Sequence, residues 1–143
     1  MCNCLFRVRP WTQRVEVNTM SKVLVVDDDS VCRDSMRRIL ERGGYSVQSA
    51  TDFSSALEAI NEQQFDLMVC DFRMPGKSGL DLLAELRRRD VMIPVVMVSA
   101  FADSGVEGEF RKLGASAFLK KPFRRQELLD ETKRCESWKL NSN

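Results

Sequence analysis

The chain has 143 residues, enough for one domain of ordinary size. Its apolar share of 43% is too high for a disordered polypeptide. The 22 Lys and Arg residues nearly cancel the 21 Asp and Glu, and a formal charge of +1 gives no support to bulk-charge binding of nucleic acid or of a membrane surface.

Residues 1–19 show neither a helical nor a strand period. They are expected to be an unstructured leader or start-site extension, the rival being a short docking tail that uses Leu5, Phe6 and Trp11. Cys4-Leu5-Phe6 is too short for a secretory core, and no apolar run approaches the ~20 residues of a membrane helix. The folded domain is assigned to residues 20–143.

Five short apolar runs follow Met20: Lys22–Asp27, Tyr45–Ala50, Phe65–Cys70, Pro94–Ser99 and Ala115–Leu119. VLVV, DLMVC and PVVMVS are nearly continuous, which suits strands covered on both faces. Amphipathic stretches alternate with them. Ser30–Arg42 repeats Val31, Ser35, Ile39 and Leu40 at helical spacing and stops at Gly43-Gly44. Asp52–Gln63 carries Ala56, Leu57 and Ile60. Gly79–Arg89 carries Leu82, Leu83 and Leu86, with Arg87-Arg88-Arg89 at the negative pole of the helix. Asp103–Leu113 ends at Gly114, and Arg124–Cys135 carries Leu128 and Leu129. Right-handed crossovers turn this alternation into an open parallel α/β sheet with helices on both faces.

Ligands of such sheets bind beyond the carboxyl ends of the strands. There the chain offers Asp27-Asp28-Asp29, Asp71, Ser99-Ala100 and Lys120-Lys121-Pro122. The first turn lacks the glycines of a dinucleotide or Walker loop. Acids from two strand ends repel unless a cation separates them, and oxygen donors with open positions suit Mg²⁺, so Asp27, Asp28 and Asp71 form a candidate metal pocket. The alternative for the acidic run is helix capping. Asp29 or Ser30 suits that role, but capping alone does not call for three adjacent acids. Asp71 is placed to act as a nucleophile towards phosphorus, Lys121 to supply positive charge and Ser99 to donate a hydroxyl. The chain contains no histidine, so a phosphoryl donor must come from outside. The five cysteines, Cys2, Cys4, Cys32, Cys70 and Cys135, are scattered and odd in number. They suit a reducing cytoplasm better than a disulfide framework or a zinc site. Cys70, at the end of an apolar strand, is expected to be a packed core thiol.

Val23-Leu24-Val25-Val26-Asp27-Asp28, Asp71-Phe72-Arg73-Met74-Pro75-Gly76 with Gly79, Val98-Ser99-Ala100, Gly114-Ala115 and Lys121-Pro122-Phe123 resemble the response-regulator receiver family in order and spacing, over about Ser21 to Arg134. The resemblance implies a flavodoxin-like sheet of strand order 2-1-3-4-5 with five helices. It implies Asp71 as phosphoacceptor, and Mg²⁺, with Mn²⁺ or Ca²⁺ as substitutes, held by Asp27, Asp28, Asp71 and the backbone carbonyl of Arg73. It further implies Ser99 and Phe118 as switch residues, Lys121 as the phosphoryl-binding lysine and a cis bond at Pro122. The implied partners are a sensor histidine kinase or histidine phosphotransfer protein meeting helix 1 (Val31, Arg33, Asp34, Arg37), and a downstream effector or output domain. A homodimer through the helix 4, strand 5 and helix 5 face is also implied, with candidates Gly105, Val106, Arg111, Lys112, Lys120, Arg124, Arg125 and Glu127. No nucleic acid or membrane contact is expected, and no enzymatic activity beyond the domain's own phosphorylation and dephosphorylation. The side chains of Arg73 and Phe101 are expected to overhang the site and slow hydrolysis.

Two rivals belong to other classes. An aspartyl-phosphate phosphatase needs a second acid two residues after the nucleophile, where this chain has Arg73. A receiver that binds partners without phosphorylation would not need the full residue set.

Overall fold

The computed structural model describes residues 21–100 and 104–141. Five strands, β1 (Lys22–Val26), β2 (Ser46–Ala50), β3 (Leu67–Asp71), β4 (Val95–Ser99) and β5 (Ala117–Lys120), alternate with α1 (Ser30–Arg42), α2 (Phe53–Glu62), α3 (Gly79–Arg88), α4 (Ser104–Lys112) and α5 (Arg125–Asn141). The strands pair in parallel in the order β2-β1-β3-β4-β5, the flavodoxin-like order expected above.

Strand periodicity divides the core into two layers. Leu24, Val26, Met68, Cys70, Val95 and Met97 face α2, α3 and α4, where Ala56, Leu83, Leu86 and Phe110 meet them. Val23, Val25, Leu67, Val69, Val96 and Val98 face α1 and α5, packing on Met36, Leu40 and Leu128. Apart from Lys22 at the start of β1, residues of β1, β3 and β4 are therefore buried whichever face they point to, which is why those runs read as continuously apolar.

The strand boundaries move by one or two residues for identifiable reasons. β3 runs on to include Asp71, because Asp71 pairs in register with Val98 and the Phe72 N–H continues the ladder to the Val98 carbonyl at 2.9 Å. β5 begins late: the Ala115 N–H is spent closing α4 on the Phe110 carbonyl at 2.9 Å, and the sheet resumes when the Ser116 N–H reaches the Val95 carbonyl at 2.8 Å. α5 extends past Cys135, since nothing in Glu136–Asn141 interrupts a helix. The α1 stripe expected from Val31 is a correction. Met36 and Leu40 carry the buried face, and Val31 stands 76% exposed.

The helix starts are capped by side chains. Asp29 accepts from the Val31 N–H at 2.9 Å, and Asp52 and Ser78 each form a reciprocal cap at α2 and α3. No helix among the described residues is long and apolar enough to cross a membrane.

Candidate functional site

Because all five strands are parallel, their carboxyl ends share one rim. β1 lies between β2 and β3, so successive crossovers leave it in opposite directions and open a crevice at its end. Asp27 and Asp28 follow β1 directly, Asp71 ends β3, Ser99 ends β4 and Lys121 follows β5.

Carboxylate oxygens of Asp27, Asp28 and Asp71 all lie within 4.8 Å of one another. The Lys121 ammonium sits between two of them, with its Nζ 3.1 Å from Asp27 Oδ2 and 3.4 Å from Asp71 Oδ1. Asp27 is 0% and Asp71 6% exposed, whereas Asp28 faces solvent. Ser99 is 1% exposed, one register step beyond the Val98 that pairs with Asp71, and its carbonyl accepts from the Lys121 N–H at 2.8 Å. The Lys121–Pro122 peptide bond is cis.

The charges are not balanced. Burial and the adjacent Asp27 carboxylate push Asp71 up to about 6, and Lys121 only partly opposes them. Burial alone would lower Lys121, but the carboxylates of Asp71 and Asp27 outweigh it and leave the amine above its usual value. Three acids served by one ammonium form an all-oxygen donor set that fits a hard divalent cation. The Cys70 thiol behind Asp71 is fully buried, and desolvation, reinforced by the two acids, drives its ionisation far up, so it is an inert core thiol.

Several supporting residues carry no obvious mark in the sequence. Arg33, one turn into α1, donates from Nη1 to the Asp27 carbonyl at 2.8 Å, and the Asp29 N–H donates to Asp27 Oδ1 at 2.9 Å. Together they fix the turn that holds the acidic pair. The Lys77 ammonium lies 4.5 Å from the centre of the Phe53 ring and ties the loop after β3 to α2. Gly79 lets α3 start against β3: its N–H donates to the Phe72 carbonyl at 2.9 Å, and a Cβ there would stand 2.4 Å from the Asp71 carbonyl oxygen. The glycine was visible in the sequence, but the close approach that requires it was not.

Phe118 is half-buried on β5, with its ring centroid 5.6 Å from that of Phe110. Arg73 is exposed in the loop after β3. Phe101, Cys2, Cys4 and residues 1–19 lie outside the described residues.

Residues 23–133 match the family model described as the response regulator receiver domain. The chain is 34% identical over 107 residues to the transcriptional regulatory protein FixJ of Bradyrhizobium diazoefficiens, covering 75% of this chain and 52% of that protein. Among solved structures, the receiver domain of Francisella response regulator 1452 is 32% identical, with a TM-score of 0.79 over 83% of this chain and 98% of that one. A CheY-like receiver domain protein from Methanospirillum hungatei is 27% identical, with a TM-score of 0.83 over 87% of this chain and 100% of that one. The chain spans about half the length of the curated relatives it matches.

Proposed function

The chain belongs to the response regulator receiver domain family of two-component systems, and we propose that it takes a phosphoryl group onto Asp71 in a Mg²⁺-dependent reaction and passes the change to a partner through α4, β5 and α5. The observation that carries this reading is the convergence of Asp27, Asp28 and Asp71 with the Lys121 ammonium on one rim of the sheet.

In this reading, which follows the family, the donor is a phosphohistidine on a sensor kinase or histidine phosphotransfer protein; this chain supplies no histidine of its own. A carboxylate oxygen of Asp71 attacks phosphorus, the new P–O bond forms as the donor P–N bond breaks, and the imidazole leaves with the electron pair of that bond. Asp27, Asp28, Asp71 and the Arg73 carbonyl would hold Mg²⁺, which when bound neutralises phosphoryl oxygens. Lys121 meets a phosphoryl oxygen from the other side, and the Ser99 hydroxyl donates to a third. Drawing Ser99 towards the phosphoryl group makes room for Phe118 and favours a second arrangement of the α4–β5–α5 face, the surface assigned to homodimer or effector contact. Apart from its own phosphorylation and dephosphorylation the domain turns over no substrate. The exposed Arg73 side chain is assigned to slowing hydrolysis. The matched segment makes up about half of FixJ, a relative named as a transcriptional regulator, and an output of that kind is a proposal for the whole protein rather than for this domain.

Mass spectrometry after incubation with acetyl phosphate and Mg²⁺ tests the reading. One added phosphoryl group is expected, on the peptide containing Asp71, absent without the metal and absent in Asp71→Asn. Labelling that persists in Asp71→Asn, or none in the parent, overturns it.

A further inference from the structure

α4 is a weak helix by composition. It is short and carries Gly105 and Gly108, and a Cβ at Gly108 would find open space, so this glycine loosens the backbone with no packing return. Besides the packing of Val106 on the core, two contacts hold the helix to the fold. At its C-terminal end the half-buried guanidinium of Arg87, from α3, donates from Nε to the Leu113 carbonyl and from Nη2 to the Gly114 carbonyl, both at 2.9 Å, and from Nη1 to Val91 at 2.8 Å. Leu113 and Gly114 directly follow the helix, and the guanidinium ties their carbonyls to the α3–β4 loop. Gly114 makes room for this fork: a Cβ there would lie 3.3 Å from Arg87 Nε, and its φ is +89°. Further up the helix Phe110, 0% exposed, stands edge-on to Phe72, with centroids 5.5 Å apart at 83°, and against Phe118 at 5.6 Å. Phe72 directly follows Asp71, and Phe118 lies on β5.

We propose that Arg87 and Phe110 are positioning residues for α4: Arg87 fixes the C-terminal end of the helix to α3, and Phe110, packed between Phe72 and Phe118, is where a change at Asp71 moves the rest of it. The inference rests on the phosphoacceptor reading of Asp71 and adds to it the elements that carry the change. Packed aromatic rings have discrete arrangements rather than continuous ones, so a shift of Phe72 or Phe118 obliges Phe110 to follow. The C-terminal end, held by two hydrogen bonds from one planar group, then acts as the fixed point.

Hydrogen exchange read by mass spectrometry on the full chain, with and without Mg²⁺ and beryllofluoride, tests this. In the parent, beryllofluoride is expected to slow exchange around Asp71 and to alter it across 104–112. In Phe110→Leu the response around Asp71 is expected to stay while the change across 104–112 shrinks about fivefold. In Arg87→Lys, exchange across 111–116 is expected to rise about tenfold even without beryllofluoride. If Phe110→Leu does not fold, Phe72→Leu removes the same edge contact from its half-buried side. A full α4 response in either phenylalanine variant, or unaltered exchange at 111–116 in Arg87→Lys, overturns the proposal. A parent that shows no effect around Asp71 sinks the phosphoacceptor reading, and this inference with it.

Discussion

In metal-free solution, Asp71→Asn is expected to stabilise the fold by an amount that grows with pH. Asp71 titrates near 6 in the folded protein, against an ordinary 3.8, because its carboxylate is buried and faces Asp27. Between those two values the folded state holds a proton that the unfolded chain has released. The stability associated with Asp71 is therefore fully present below about pH 4 and is lost as pH rises through about 6. At about 1.4 kcal/mol per pH unit the difference amounts to roughly 3 kcal/mol at neutral pH. Asparagine keeps the shape but gives up the contact with Lys121 at 3.4 Å, so a net gain of about 1–3 kcal/mol is expected at pH 7.5 and close to none at pH 4. Urea unfolding of both proteins in a chelator, across that range, measures the difference directly, since groups common to both cancel. Adding Mg²⁺ at about 100 times its Kd should then return about 2.7 kcal/mol to the parent and less to the variant. Stability profiles that run parallel from pH 4 to pH 7.5 would refute the account of the cleft as a place of uncompensated negative charge.

Other substitutions probe the scaffold. Gly79→Ala sets a methyl against the Asp71 carbonyl, a backbone atom that cannot rotate away, and should cost about 1–3 kcal/mol in denaturant and weaken Mg²⁺ binding. Gly108→Ala fills open space on α4 and should raise stability by about 0.5–1 kcal/mol, seen as a higher Tm. Phe110→Ala empties the largest wholly buried side-chain site and should cost about 3–5 kcal/mol in urea unfolding.

Much of the architecture was legible because burial on two faces leaves a strong mark. VLVV, DLMVC and PVVMVS suit interior strands, and the acids, hydroxyl and lysine at the strand ends fall on one rim once the strands are parallel. Helix faces were less legible. Val31 fits a helical stripe as well as Met36 does, and only the position of the sheet decides that Met36 turns inward. Arg87 was read as one of three basic residues favouring a helix end, yet Arg88 and Arg89 pair with Glu85 on the surface while Arg87 turns in to carbonyls 26 and 27 positions away in the chain. No local pattern distinguishes the three. Phe110 was likewise unmarked, because its importance lies in Phe72 and Phe118, which the chain brings near only after two crossovers.

The bonding of Arg87 has a consequence for the conditions under which the domain works. The acceptors of its guanidinium are peptide oxygens, which do not titrate, and the group is half-buried. A change of pH that alters the charge of the Asp71 cleft therefore leaves this rivet in place, and the fold keeps a reference point whose bonding does not depend on the protonation of its acidic rim.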